Sequence, residues 1–307
     1  LKFTTEGARN EGNQDYTDVL PSFGLKFPVH KDANLHISYY KGINRPSFFE
    51  IVPYSMIYED YKERGNPDIK HTTADNFDIR YEYFPRPSEQ IMAGIFYKSI
   101  KNPIEFGMMN GFGQDVFYIP MNFGNANNYG FELDLIKYFS WFGIKANYTY
   151  TNSDITTSKM RVFNNPDPDA ETKILTEYIN QTRSLFGQAA NVANITLLFK
   201  DKKMGWDAQL AFSYTGDRLI IVSRYLNEDT WQAGYGSMDA SLEKRLKSGL
   251  TLFAKASNLL NSPMIQYNKP NDNTSVLTTV ERYKGGIVDR KELYGQNISL
   301  GLRIKFQ

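Results

Sequence analysis

Apolar and polar residues alternate along much of this chain, most clearly at its C-terminal end. From 294 to 306 the even positions are Tyr294, Gln296, Ile298, Leu300, Leu302, Ile304 and Phe306. The odd positions, Gly295, Asn297, Ser299, Gly301, Arg303 and Lys305, are small, polar or cationic. Side chains alternate across a strand, so the segment predicts a β-strand with one apolar and one polar face. The same period recurs at 23–27, 35–39, 77–83, 91–97, 131–135, 142–150, 193–199, 206–214, 238–245 and 250–256, and residues 1–6 read as the middle of another strand. That makes about twelve strands. A short helix fits 170–180.

The connections alternate in length. Short turns lie near 28–34, 85–88, 140, 200–203 and 247–249; long polar stretches occupy 43–73, 101–128, 152–189 and 259–293. Short turns at one end and long loops at the other predict an all-β, transmembrane antiparallel β-barrel. Successive hairpins exclude a parallel α/β sheet, which needs helical crossovers. The charges agree. Asp78, Arg80, Glu82, Glu132, Asp134, Lys145, Asp207, Asp239, Glu243, Arg245, Arg303 and Lys305 all fall on the polar face. An Arg or Lys on a lipid face would cost about 2–4 kcal/mol at mid-depth. Lys244 breaks the pattern, but next to a short turn it can snorkel to the interface.

Composition narrows the function classes. Aromatics make up 15% of 307 residues, with 21 Tyr and 21 Phe, which suits strands and the aromatic girdles of membrane barrels. Lys and Arg (35) balance Asp and Glu (34), so no basic field supports nucleic-acid binding. Without cysteine there is no disulfide, thiol nucleophile or Cys-based metal site. No apolar run approaches the ~18 residues of a membrane helix; among the longest is Leu219-Ile220-Ile221-Val222. The chain opens at Leu1 without a signal peptide, so a fragment with targeting information upstream is expected.

Candidate chemistry lies in the long loops. Arg45, Phe48, Phe49, Tyr54, Tyr58, Tyr61 and Arg64 crowd 43–73; Phe106, Phe112 and Tyr118 stand in 101–128 with Met108, Met109 and Phe117. Exposed aromatics with a few cations suit ligand binding by stacking and hydrogen bonding. The competing reading is that they pack the loops together. His71, flanked by Asp68 and Asp75, comes with no nucleophile or metal motif, so no catalytic residue, metal site or cofactor is expected. The acidic run at 164–169 matches no calcium loop and reads as solvated turns.

Several stretches carry a family resemblance. Arg45-Pro46-Ser47-Phe48-Phe49-Glu50-Ile51-Val52-Pro53 follows a strand ending in Tyr39-Tyr40. Gly65-Asn66-Pro67-Asp68-Ile69-Lys70 precedes the strand from Asn76 to Phe84. Asn128-Tyr129-Gly130-Phe131-Glu132-Leu133 and Lys255-Ala256-Ser257-Asn258-Leu259-Leu260-Asn261 complete the set, with the aromatic-bearing final strand. Together they resemble the C-terminal barrel portion of TonB-dependent outer-membrane receptors, particularly the Bacteroidetes type.

The resemblance implies that residues 1–307 are the C-terminal half of a barrel of about 22 strands around an N-terminal plug that this chain lacks. It implies a bacterial outer-membrane transporter and not an enzyme. Such a receptor binds a scarce nutrient (siderophore, haem, glycan or peptide) and imports it with energy from the TonB complex. It implies lipid contact, and assembly by the barrel-assembly machinery with Phe306 as signal. It also implies a structural role for the Arg45–Phe48 motif at its strand–loop junction. A surface lipoprotein partner occurs in one subgroup, but the run that marks it is missing near Asn258–Asn261. The alternatives are a passive porin and a soluble all-β binding protein. The final strand is expected to pair with 250–256, its other edge needing a first strand that the chain does not contain.

Overall fold

The computed structural model describes residues 14–58, 62–110, 116–167, 169, 171–246, 249–268 and 281–304. β1 (Ser22–His30) and β2 (Ala33–Asn44) form a hairpin, followed by α1 (Phe48–Ile51), β3 (Ser55–Ile57) and β4 (Lys62–Arg64). β5 (Thr72–Tyr83) and β6 (Gln90–Lys101) form the next, then come β7 (Ile104–Asn110) and β8 (Val116–Asn122). β9 (Asn125–Phe139) turns into β10 (Phe142–Asn164), whose distal half pairs with β11 (Ile174–Arg183). β12 (Asn191–Asp201) and β13 (Trp206–Thr215) precede β14 (Arg218–Ser223) and β15 (Thr230–Gln232). β16 (Tyr235–Arg245) and β17 (Leu250–Ser257) form the last hairpin. β18 (Met264–Asn268), β19 (Arg282–Tyr283) and β20 (Gly286–Glu292) then lead to β21 (Asn297–Ile304).

The alternating segments from residue 23 onward make one antiparallel wall, in the order β1-β2-β5-β6-β9-β10-β12-β13-β16-β17-β21. With β11 branching from β10 it has 12 strands. Residues 1–6 lie outside the described residues. Within the segment read as a helix at 170–180, the chain from Ile174 on is a strand instead, β11. The distal half of β10 offers β11 an edge along Ile155–Asn164, and Ile174, Thr176, Ile179 and Thr182 are β-branched residues suited to such a ladder. Among the described residues the wall does not close: β1 and β21 are its two ends. β21 pairs with β17 as expected, Leu300 facing Ala254.

Register turns the alternation into two continuous surfaces. Leu25, Ile37, Ile79, Ile95, Phe131 and Tyr150 stand directly opposite one another across six strands. Leu197, Leu210, Ala240, Ala256 and Ile298 form a second apolar row. Among the described residues nothing covers this face: Leu300 is 80% exposed. On the other face charges meet their opposites. Arg80 reaches Glu132 at 3.7 Å across Gly94, which lies between them in register. Lys200 pairs with Asp207 at 3.2 Å and Arg303 with Glu243 at 3.5 Å. At the short-turn end Trp141 packs on Phe199 with centroids 5.4 Å apart. There Lys244 bends to the turn, donating to the Met204 carbonyl at 2.6 Å and lying 4.4 Å over Trp206. These are the aromatic and cationic anchors of a membrane interface.

The long connections form a layer of their own. Pieces of the β2–β5, β6–β9, β13–β16 and β17–β21 connections assemble a nine-stranded sheet, β19-β20-β18-β15-β14-β7-β8-β4-β3. Its parallel joints, β7 with β14 and β4 with β8, tie different loops together. Much of the fully buried apolar material lies here, with Leu219, Val222 and Tyr267 all at zero exposure. Ala126, Ile155 and Leu185, packed against Ile100 and Phe123, form a buried cluster where layer and wall meet.

Candidate ligand site in the loop layer

The Arg45–Pro53 motif is a capped helical turn. Ser47 Oγ accepts from the Glu50 amide at 3.4 Å, and Glu50 Oε2 accepts from the Ser47 amide at 2.6 Å. This reciprocal capping box fixes α1 and leaves Phe48 and Phe49 pointing outward, 73% and 70% exposed. The second motif holds the turn from below. The Asn66 amide donates to the Glu50 carbonyl at 2.7 Å, and the Asn66 side chain donates to the Pro120 carbonyl at 2.9 Å, at β8. Gly65 is required by proximity, since a Cβ there would lie 1.9 Å from the Val52 carbonyl oxygen.

Behind α1, Tyr54 is buried and donates to Glu63 at 3.1 Å. Burial, then the Glu63 carboxylate, pushes its hydroxyl up to about 12, so it stays a neutral donor. Phe49, Tyr54, Glu63, Phe106 and Pro120 enclose, with the capping box, a cavity of 230 Å³. Glu63 and Phe106 also line a cleft of 520 Å³ with Tyr118, Phe186, Ile220, Ile221, Gln266, Asp289 and Arg290. The two spaces therefore adjoin, and the larger falls in the usual range for small-molecule sites. Phe106 and Phe186 meet as a tilted ring pair at 6.3 Å.

Three buried or half-buried carboxylates brace this layer. Glu105 accepts from Arg183 at 2.7 and 3.1 Å and from the Phe186 amide at 2.7 Å, which sets the position of Phe186. Asp229 accepts from the buried Lys159 and from the Ser223 amide. Burial pushes Lys159 down, with Asp229 opposing. Asp217 accepts from Lys284 at 2.7 Å, the Gly234 amide at 2.8 Å and the Tyr267 hydroxyl at 2.9 Å. Burial pushes Asp217 up, but these donors together outweigh it and hold its carboxyl below the ordinary value. Each group ties residues from separate segments into one fixed arrangement.

The candidates named from sequence divide accordingly. Phe49, Tyr54, Phe106 and Tyr118 come together around the two spaces. Arg45, Phe48 and Tyr58 are exposed outside them. Arg64 lies 4.2 Å over Phe117. Tyr61, Phe112 and Phe306 lie outside the described residues. Glu63, Phe186, Gln266 and Asp289 were not foreseen; the apolar run holding Ile220 and Ile221 was the only hint. His71 stacks on Tyr16 at 4.0 Å and pairs with Asp18 at 3.1 Å, while Asp75 is engaged by Tyr39. Asp167 and Asp169 close turns onto the preceding side-chain oxygens. Among the described residues no three acidic or histidine groups converge as a metal site. Aromatic faces, carboxylates and a phenol can bind a ligand.

The family model described as TonB dependent receptor-like, beta-barrel, matches residues 2–259. No curated protein matches the chain. Among solved structures it is similar to the ferric enterobactin receptor PfeA of Pseudomonas aeruginosa, with 17% identity, TM-score 0.56, 92% of this chain and 40% of that one. It is similar to the FrpB iron transporter of Neisseria meningitidis, with 13% identity, TM-score 0.54, 94% of this chain and 38% of that one. The siderophore receptor PirA of Pseudomonas aeruginosa gives 13% identity, TM-score 0.53, and 93% and 42% coverage. At these identities the likeness is one of fold, and the chain spans about two fifths of the length of these structures.

Proposed function

Since this chain belongs to the TonB-dependent receptor β-barrel family of the bacterial outer membrane, we propose that it is part of a receptor that captures a scarce nutrient outside the cell. Import then draws on energy relayed by TonB. The wall contributes the lipid-facing barrel surface, and the loop layer contributes the ligand site. Phe49, Tyr54, Phe106 and Tyr118 are its aromatic contacts; Phe48, Tyr58, Arg45 and Arg64 lie outside the cleft and act in first capture or in shaping the loops. The observation that carries this reading is the cleft itself. It is built from five different loops and held by buried ion pairs, a preorganised site. A passive pore needs no such clamp. The barrel-assembly machinery and membrane lipid are partners on the same reading. A surface lipoprotein is not part of it, and neither is catalysis.

The test is uptake by cells expressing the full-length receptor, supplied with a panel of ferric siderophores, haem, glycans and peptides. Uptake of one class is expected to stop when a protonophore dissipates the proton gradient or when TonB is deleted, and to fall in a Phe106→Ala variant. Uptake that persists without the gradient would establish the porin reading instead.

A further inference from the structure

The site carries an uneven charge. Glu50 and Glu63 line the cavity, and Glu63 and Asp289 line the adjoining cleft. The cation of that lining, Arg290, stands 3.7 Å from Glu292, which offsets it. Two other cations near the aromatic cluster are engaged elsewhere. Arg64 is stacked on Phe117, and Arg183 is buried against Glu105. The acids are not neutralised in return. Glu63 receives the neutral Tyr54 hydroxyl, and Glu50 receives the Ser47 amide. Asp289 has no cation within ion-pair distance among the described residues. Between these carboxylates lie the Phe106–Phe186 ring pair and Ile220 and Ile221.

Carboxylates with free lone pairs ask for donors, either hydroxyl, amide or ammonium groups. Ring faces beside them favour an apolar or cationic surface. A polyanion would meet like charges, and each cation named here already has a partner. We infer that this site selects an uncharged or cationic ligand, rich in hydrogen-bond donors around an apolar face, and excludes polyanions. The inference rests on the reading of the cleft as the receptor's ligand site.

The experiment uses the full-length receptor, made free of other reactive thiols, with Ile221→Cys carrying a small fluorophore. Quenching by a cation (thallium), a neutral molecule (acrylamide) and an anion (iodide) reads the charge of the cleft without knowledge of the ligand. Thallium is expected to quench several-fold better than iodide at low salt, and a Glu63→Gln/Asp289→Asn variant is expected to erase most of that difference. Binding of three probes then reads selectivity: a trianionic ferric tris-catecholate, an uncharged ferric trihydroxamate and a cationic amphipathic peptide. The uncharged or cationic probe is expected to bind at least about tenfold tighter than the trianion. Iodide quenching equal to thallium's, or tightest binding of the trianion, would overturn the inference. A cation-selective cleft with nutrient uptake unchanged by Phe106→Ala would instead show that the cleft is not the ligand site, and both readings would fall.

Discussion

The wall and the loop layer are both β-sheets, but they handle charge in opposite ways. In the wall, Arg80, Glu132, Arg303 and Glu243 meet across a polar face in exposed pairs. In the loop layer, Arg183–Glu105 and Lys159–Asp229 are almost fully buried. The wall draws its stability from a ladder that repeats strand by strand and from lipid on its apolar face. The loop sheet has short strands and few ladder pairs. Its geometry depends on particular side chains that join distant segments. The wall should therefore tolerate change at most positions and fail at a few backbone contacts, whereas the loop layer should fail at its ion pairs and leave the wall standing.

The largest expected effect attacks the wall at one of those backbone contacts. A Cβ on Gly130 would lie 1.8 Å from the Tyr150 carbonyl oxygen on β10. Gly130→Val is expected to abolish the folded barrel, seen as loss of heat-modifiable mobility in outer-membrane fractions. Normal assembly of that variant would refute the rigid-contact account. Next is Glu105→Gln. Leaving Arg183 buried without its carboxylate should destabilise the loop layer by about 3–5 kcal/mol. Limited proteolysis should then cut the long loops while heat-modifiable mobility is kept; if both properties vanish together, the two regions are not separable.

Leu300→Arg should cost about 2–4 kcal/mol through its lipid-facing position, whereas Ser299→Arg, one residue away on the polar face, should be near neutral. Comparable losses in refolding titrations of the two variants would reverse the facing of β21. Acid is expected to act more mildly, through Asp217. Its folded value is depressed, so its contribution is present above the ordinary carboxylate value and is lost as pH falls below about 4. Lys284 is held above its ordinary value by the Asp217 hydrogen bond, so its contribution fades only as pH rises past about 10.4. Protease sensitivity near β18–β20 should rise at the acid limit and not between pH 5 and 9, and Asp217→Asn should remove the acid transition. The smallest effect is expected at Arg161, whose pair with Glu177 at 3.1 Å is exposed. Arg161→Ala should change loop stability by at most about 1 kcal/mol.

Much of this was legible from sequence, but unevenly. Ile298, Leu300, Leu302 and Ile304 announce β21 and its apolar face because a strand's period is local. The capping box was present as Ser47 followed three residues later by Glu50, a spacing that marks a helix start, yet it lay inside a stretch read as loop. β11 was misread because 170–180 has no strict alternation and its strand depends on the edge that β10 provides. Asp289 stands far from Glu63 in the chain, and no local pattern joins them. Their meeting depends on β18 and β20 adding to a sheet that begins in β3 and β4.

The sequence by itself determined the wall apart from β11: its strands, their facing, the turns that end them and the placement of charge on one side. Those features rest on side-chain period, turn chemistry and the cost of charge in lipid, all readable within a few residues. Only the tertiary structure decided the loop sheet, the two adjoining spaces and the acidic bias around Phe106. Those depend on pairings between segments far apart in the chain, where buried carboxylates find donors that no neighbouring residue supplies.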